Sequence, residues 1–372
     1  MTKSLNIVAF DIPYPANYGG VIDVFYRIKA LSALGVKVTL HCFEYWRSRA
    51  PELDACCHKV YYYPRRQTLI NQFRWKPYAV VSRKNSRLIN NLLSNDDPIL
   101  FEGLVCCYYL NDRRLRRRLK IFRECNIEHD YYRGLAAASN DLWQKFYYAI
   151  EAVKMQYYER ILRAADVIVA LSTTDQKHFE RIFPTKTVKY IPCFHANEHI
   201  SSQTGSSSFL LYHANLSLAE NVHAALYLCH NIFGKLPYRC VIAGLNPVAK
   251  LRAAVSRYPN IELVPNPDDV RMQQLLREAH INLLITFQAT GLKLKLLNTL
   301  FAGRHVIANR QMLSGADLDT LCHIADTSGK QLQLCHELMQ KPFIQSDIDL
   351  RELLLIPQFS NQYLGEEFLK LF

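Results

Sequence analysis

Residues 5–10 read Leu-Asn-Ile-Val-Ala-Phe. They are followed by Pro13, Pro15, Asn17, Gly19 and Gly20, by a helix-spaced run from Val21 to Leu34, by Gly35, and by Val36 to Phe43. A short apolar run between turn residues suits a strand buried on both faces. Strand, loop, helix and second strand make a βαβ unit, which sets the two strands parallel in one sheet covered by helices. The turn after the first strand is not Gly-x-Gly-x-x-Gly, so it is not read as a dinucleotide site. Gly19-Gly20 either lets the backbone approach a ligand or makes an ordinary tight turn; the sequence leaves both open.

The alternation continues outward from this unit. Further strands are expected at 99–101, 119–122, 166–171 and 188–192. A long helix rich in Tyr and Arg is expected at 142–164, and Ser172-Thr173-Thr174-Asp175 reads as a helix cap. Residues 195–208 are small and polar, including Ser201-Ser202-Gln203-Thr204-Gly205-Ser206-Ser207-Ser208, and read as a linker. A second series follows, with strands at 209–212, 239–243, 261–264, 281–287 and 306–308 and helices at 220–233, 251–258 and 272–279. The expected fold is therefore α/β, with two Rossmann-like doubly wound domains facing an interdomain cleft. Such sheets bind ligands at the carboxyl ends of their strands. A cleft between two of them suits a two-substrate transferase.

Composition narrows the function classes. The 372 residues are 49% hydrophobic, enough for two packed cores. The net charge of +12 favours anionic partners such as nucleotides or an acidic membrane surface, with simple solubility as the plain alternative. Eleven cysteines contain no Cys-x-x-Cys, and Cys56-Cys57 and Cys106-Cys107 lie in apolar runs. Reduced thiols in a cytosolic protein are expected, rather than disulfides or a zinc site. The apolar run at Leu5 to Phe10 is too short for a signal peptide, and no stretch reaches the length of a membrane-spanning helix.

Residues 290–303, Thr-Gly-Leu-Lys-Leu-Lys-Leu-Leu-Asn-Thr-Leu-Phe-Ala-Gly, carry the clearest chemistry. A Thr-Gly turn opens an apolar helix with two lysines in its first turns. Unpaired N–H groups and the dipole make a helix start attractive to a phosphate or diphosphate. Lys293 and Lys295 lie about 200° apart around a helix, so a fully helical chain cannot aim both at one phosphate. Lys295 and Asn298 share a face. The expectation is Lys295 on the diphosphate and Asn298 on the ribose. Lys293 would reach from the turn and Gly291 would offer its N–H. The alternative is a pair of solvated lysines and a plain cap.

Taken in order, these pieces resemble the large family 4 (group 1) of retaining, nucleotide-sugar-dependent glycosyltransferases of the B-type fold. Pro15 to Gly35 is similar to the family's first glycine-rich loop and helix. Asn126-Ile127-Glu128-His129-Asp130-Tyr131-Tyr132 is similar to its Asn-Ile-Glu-x-x-Tyr-Tyr segment. Asp166-Val167-Ile168-Val169-Ala170-Leu171-Ser172 resembles one of its strands. Leu211 to Ser217 with Asn221 resembles the opening of its donor domain, and Gly291 to Gly303 its donor-diphosphate helix.

The resemblance implies a domain organisation. Residues 1–194 would form an acceptor-side domain, 195–208 a linker and 209–345 a nucleotide-sugar-binding domain, with 346–372 packing back on the first domain. It also implies substrate contacts at Gly19, Gly20, Asn126, Asn215, Asn221, Pro265, Thr290, Gly291, Leu292, Lys293 and Asn298, and catalytic roles at Glu128, His129 and Lys295.

Departures from the family pattern are visible. Thr290 and Asn298 stand where many members have two glutamates. Asn215 and Glu220 replace an Arg and a Lys that contact the diphosphate, leaving Lys293 and Lys295 as the substitutes. Cys125 stands where a histidine is frequent.

The implied activity is transfer of a sugar, with retention, from a nucleoside-diphosphate sugar to a glycan or lipid-linked acceptor in surface-polysaccharide assembly. Retention needs no dedicated carboxylate pair when the leaving phosphate accepts the acceptor's proton. No metal or cofactor is expected beyond the donor substrate, because lysine and a helix end neutralise the diphosphate. His129 would hold the sugar or position the acceptor, or else is structural. The run Arg113-Arg114-Leu115-Arg116-Arg117-Arg118-Leu119-Lys120, with Phe73, Trp75 and residues 147–158, would hold the first domain on the inner face of the plasma membrane, or else is a solvated face. Nucleic acid is not expected, since no RNA-binding motif accompanies the basic run. Two rivals stay open: a sugar-nucleotide epimerase on the same fold, and a non-catalytic sugar-nucleotide-binding protein.

Overall fold

The computed structural model describes all residues except 1–2, 69–71, 73, 140 and 288–293. It divides into two compact units, Met1–Ala196 with Asn361–Phe372, and Asn197–Ser360.

The first unit is built on seven parallel strands: β1 (Ser4–Ala9), β2 (Lys37–Glu44), β3 (Lys59–Pro64), β4 (Ile99–Glu102), β5 (Lys120–Arg123), β6 (Val167–Ala170) and β7 (Thr187–Tyr190). Their spatial order is β3-β2-β1-β4-β5-β6-β7. β1 pairs in register with β2, Ile7 opposite Leu40, and with β4, Ile7 opposite Leu100. Alternating side chains explain the continuous apolar runs. Leu5, Ile7 and Ala9 pack with Val24, Ile28 and Leu31 of helix Gly19–Ala33, whereas Val8 faces the opposite core with Phe101 and Phe122. The sequence reading did not mark β3, an edge strand with three consecutive tyrosines, Tyr61 to Tyr63.

The second unit has six parallel strands: β8 (Phe209–Asn215), β9 (Arg239–Leu245), β10 (Ile261–Pro265), β11 (Ile281–Leu284), β12 (His305–Ala308) and β13 (His323–Ile324), in the order β10-β9-β8-β11-β12-β13. Leu210 and Tyr212 face one core, and Phe209 and Leu211 the other. Gly244 pairs with Ala214, one step before the end of the β8–β9 ladder. Its φ is +157°, and a Cβ there would lie 1.7 Å from the Ala214 carbonyl oxygen, so no side chain fits. Both sheets are thus doubly wound and Rossmann-like. Each reverses strand order once, at β1/β4 and at β8/β11.

Two boundaries fall away from their sequence-based positions. Residues 197–208 are packed rather than a free tether: Ser201 N–H donates to the Phe301 carbonyl at 2.7 Å, Ser202 Oγ accepts from Arg351 at 2.8 Å, and Gly205 bridges Phe343. The C-terminal return begins at Asn361 rather than 346, because helix Gln345–Phe359 buries Leu355 and Phe359 in the second unit's core. Helix Asn361–Leu369 then buries Leu364 and Phe368 against the first unit.

Among the described residues all eleven cysteines are free thiols, and no group of His, Cys, Asp or Glu is arranged to hold a metal ion. No helix among them is long and apolar enough to cross a membrane.

Candidate functional site

At the β8/β11 reversal the second unit assembles a small polar cluster. β8 ends at Asn215, whose Oδ1 accepts from Ser217 N–H (3.1 Å) and Ser217 Oγ–H (2.8 Å), an Asx turn that leads the chain into helix Ala219–Asn231. Asn221, in that helix's first turn, donates Nδ2–H to the Asn215 carbonyl at 3.0 Å. Its Oδ1 accepts from Lys295 Nζ at 3.3 Å. Lys295 comes from helix Leu294–Ala302, whose Leu296, Leu297 and Leu300 are buried. That burial fixes the helix and turns the half-buried lysine toward β8, with its ammonium 5.5 Å from the Tyr212 ring centre. The structure therefore brings Lys295, Asn221 and Asn215 together, although 74 residues separate Asn221 from Lys295.

Thr299, one turn further along, donates to the Lys295 carbonyl at 2.7 Å. Its oxygen then accepts from His213 Nε2–H at 2.9 Å. Burial, with Lys295 nearby, pushes the His213 imidazole down to about 3, so the ring is neutral. Asn298 faces elsewhere, its Oδ1 accepting from Asn197 Nδ2–H at 2.8 Å. Pro265 is the exposed last residue of β10, paired with Gly244. Thr290, Gly291, Leu292 and Lys293 lie outside the described residues.

In the first unit Gly19 and Gly20 form the first turn of helix Gly19–Ala33. A Cβ on Gly20 would come 2.7 Å from Phe10 Cζ, so its smallness serves packing of the loop after β1. Asn126 is half-buried between β5 and helix Glu128–Ala138. Glu128 and His129, adjacent in sequence, face different surroundings. Burial pushes the Glu128 carboxyl up to about 7 against the pull of Arg83. His129 instead lies 3.7 Å from Glu159 and has its ring 5.7 Å from that of His178, in a cavity of about 410 Å³ that also includes Arg133 and Arg160. Burial lowers its pKa, with Glu159 and Asp130 opposing. The two residues do not converge on one point.

The basic run divides too. Arg113, Arg114, Arg116 and Arg117 are exposed, while Arg118 is buried and donates to the carbonyls of Leu92 (2.6 Å) and Asn95 (2.5 Å). Arg83, buried and bonded to the carbonyls of Ala79 and Phe10, was not singled out from the sequence. No motif surrounds it; only the strand-to-helix connections reveal its place.

What this arrangement can do is hold an anion. Lys295 supplies a cation at the carboxyl end of a parallel sheet, where ligands of such folds bind. The asparagines beside it offer amide donors and acceptors to hydroxyl groups.

No family model matches the chain. An uncharacterized 44.6 kDa protein in the cps region of Klebsiella pneumoniae is 26% identical over 318 residues, covering 79% of this chain and 81% of that protein. Several solved structures share the fold over essentially the whole chain. The N-terminal domain of Candida albicans trehalose-6-phosphate phosphatase matches with a TM-score of 0.69 and 11% identity, over 100% of this chain and 96% of that one. TarM of S. aureus, in complex with fondaparinux, alpha-GlcNAc-glycerol and UDP, matches at 0.68 and 11%, over 100% and 99%. Anabaena HepE in complex with UDP matches at 0.67 and 12%, over 99% and 98%. The chain has the B-type glycosyltransferase fold of these structures.

Proposed function

We propose that this protein is a glycosyltransferase that moves a sugar, with retention, from a nucleoside-diphosphate sugar to a glycan or lipid-linked acceptor in surface-polysaccharide assembly. The observation that carries the reading is Lys295 drawn onto the loop after β8 by Asn221. In that loop Asn215 and Glu220 supply no positive charge. Lys295 supplies it from another helix. The fold neighbours that hold UDP support a nucleotide-sugar donor, and the relative in a cps region supports the polysaccharide setting.

In this reading the bond from the anomeric carbon to the diphosphate oxygen breaks as the acceptor hydroxyl forms its bond on the same face. The acceptor's proton passes to the departing phosphate. Negative charge grows on the diphosphate while the sugar becomes oxocarbenium-like, and a fixed cation at the phosphate favours that change. Asn215 and Asn221 orient the donor's hydroxyls. The neutral His213 ring, bonded through Thr299 to the Lys295 carbonyl, braces the helix without adding a competing charge.

The test is release of nucleoside diphosphate from a panel of nucleotide sugars. Wild type should release it, and Lys295→Ala should lower the rate about 10²–10³-fold. Full activity in the variant removes Lys295 from the mechanism. Donor binding without turnover, across every acceptor supplied, replaces the enzyme reading with a binding protein.

A peripheral membrane contact belongs to the same reading. Helix Leu142–Tyr158 exposes Leu142, Trp143, Phe146, Ile150, Val153 and Tyr157, with Trp75 edge-on to Tyr157 at 5.8 Å. Their spacing places most of them along one face, and Lys145 stands among them. The protein should sediment with vesicles containing anionic lipid, and Phe146→Asp with Val153→Asp should leave it in the supernatant. Equal sedimentation of the double variant would discard this contact.

A further inference from the structure

A second basic place lies at the carboxyl edge of the first unit's sheet, built from residues that no sequence motif joins. Loops after β1, β2 and β3, with the turn at Arg83, enclose a cavity of about 370 Å³, within the ~300–1,000 Å³ range of small-molecule sites. Three arginines line it: Arg47, Arg65 and Arg83. Among the described residues none of the three has a carboxylate within ion-pair distance. The one acid in the lining, Asp11, is engaged otherwise, accepting from Ile12 N–H and Tyr18 O–H, each at 2.9 Å. Three positive charges against one negative leave the cavity two charges in excess.

The arginines are held in place without being neutralised. Arg83 donates to backbone carbonyls of Ala79 and Phe10. Arg65 anchors through Nε–H to Ser82 Oγ at 2.9 Å and lies 4.4 Å from the Tyr45 ring centre. That leaves its forked Nη1 and Nη2 groups to meet an oxyanion. Arg47 is anchored by Nη1–H to Asn17 Oδ1 at 2.9 Å and by Nη2–H to the Pro15 carbonyl, while its buried Nε–H has no protein acceptor. Beside them Tyr45 and Trp46 stand with ring centres 4.3 Å apart, Trp46 being 81% exposed. An indole left in water at the rim of a cationic cavity offers a flat face for a sugar ring.

We infer that this cavity is a subsite for a phosphorylated sugar, its phosphate between Arg47 and Arg65 and its ring against Tyr45 and Trp46. A phosphate carries ≈ −1.5 to −2 charges as a monoester and accepts from several directions, which fits two excess charges and donors arriving from separate loops. The name "acceptor subsite" rests on the proposed function; the binding itself does not. The phosphate can belong to a free sugar phosphate or can join the sugar to a lipid.

Calorimetric titration of the full chain, without nucleotide, tests this with a hexose phosphate, the unphosphorylated hexose, inorganic phosphate and a short-chain prenyl-diphosphate hexose. The phosphorylated sugars should bind and the neutral hexose should not. The tighter of the two phosphorylated ligands identifies the source. Arg65→Ala should weaken binding about tenfold to hundredfold, as should Arg47→Ala, which sits in an outer loop and guards against a folding artefact. Trp46→Ala should weaken the phosphosugars and leave inorganic phosphate unchanged. Equal binding of neutral and phosphorylated hexose, or unchanged affinity in both arginine variants, overturns the subsite. Nucleoside-diphosphate binding, followed in parallel, should be intact in these variants. Its absence in wild type would sink the donor reading while leaving the phosphosugar result standing.

Discussion

The two units share a fold plan yet bury different kinds of polar group. Beneath the first sheet, Asp23, Arg27, Glu102 and Arg123 form a fully enclosed ionic quartet. Arg27 pairs with Asp23 at 2.9 Å and with Glu102, and Arg123 grips Asp23 at 2.9 and 3.0 Å. Arg123 also donates to the carbonyls of Ile191 and Pro192, and Asp23 accepts from Phe194 N–H. Burial alone would raise the Asp23 carboxyl, but Arg123 and Arg27 hold it at about 2. In the second unit the enclosed side chains include neutral groups such as His213, Thr299 and Asn282, and two arginines, Arg304 and Arg351, that donate to backbone carbonyls rather than to carboxylates. The difference has a structural reading. Charge in the first unit ties together four chain segments far apart in sequence, including the exit at 191–194. The second unit closes the same topology with apolar contacts and with arginines bonded to carbonyls, and among its described residues no ion pair is buried.

The largest expected effect breaks the quartet. Arg123→Met leaves Asp23 half-paired in the interior and should cost about 3–5 kcal/mol, whereas Thr299→Val in the second unit should cost about 1–3 kcal/mol. All three tryptophans, Trp46, Trp75 and Trp143, lie in the first unit, so urea unfolding followed by tryptophan fluorescence reads that unit alone. Hydrogen exchange in β8 reads the other. A loss below about 1 kcal/mol for Arg123→Met would mean that the quartet does not organise the first unit.

A smaller effect sharpens the contrast through pH. Glu128, in the first unit, is displaced from its ordinary 4.5 to about 7 by burial, against Arg83. Between those values the folded chain holds a proton that the unfolded chain has released, so this group's contribution to stability falls as pH rises through that window. His213, in the second unit, is displaced from 6.5 to about 3 by burial with Lys295 nearby. Between those values the unfolded chain holds the extra proton, so this contribution falls as pH drops below 6.5. Relative to wild type, Glu128→Gln should gain melting temperature between about pH 5 and pH 7.5, and His213→Gln should gain between about pH 6.5 and pH 4. Melting curves parallel to wild type across those ranges would remove either residue from the account.

Much of this was legible in the chain. The apolar runs at 5–10, 99–101 and 209–212 announced parallel strands because a strand covered on both faces must be apolar at every position. Ser172 announced its helix because its oxygen accepts from Asp175 N–H at 3.0 Å, a local bond needing no tertiary partner. Lys295 stood out because charge at the start of an apolar helix is locally conspicuous. Lys59–Pro64 escaped notice because a half-buried edge strand of one valine and three tyrosines between Lys59 and Pro64 carries a weaker signal than a continuous aliphatic run.

Sequence by itself determined the two doubly wound halves and the helix bearing Lys295, since period, turn residues and caps act over a few neighbouring positions. Only the tertiary structure decided that Lys295 meets Asn221, that Glu128 and His129 part company, and that Arg47, Arg65 and Arg83 surround one cavity. Those meetings depend on where β1, β2, β3 and β8 end, and parallel pairing brings together loop residues that the chain itself keeps dozens of positions apart.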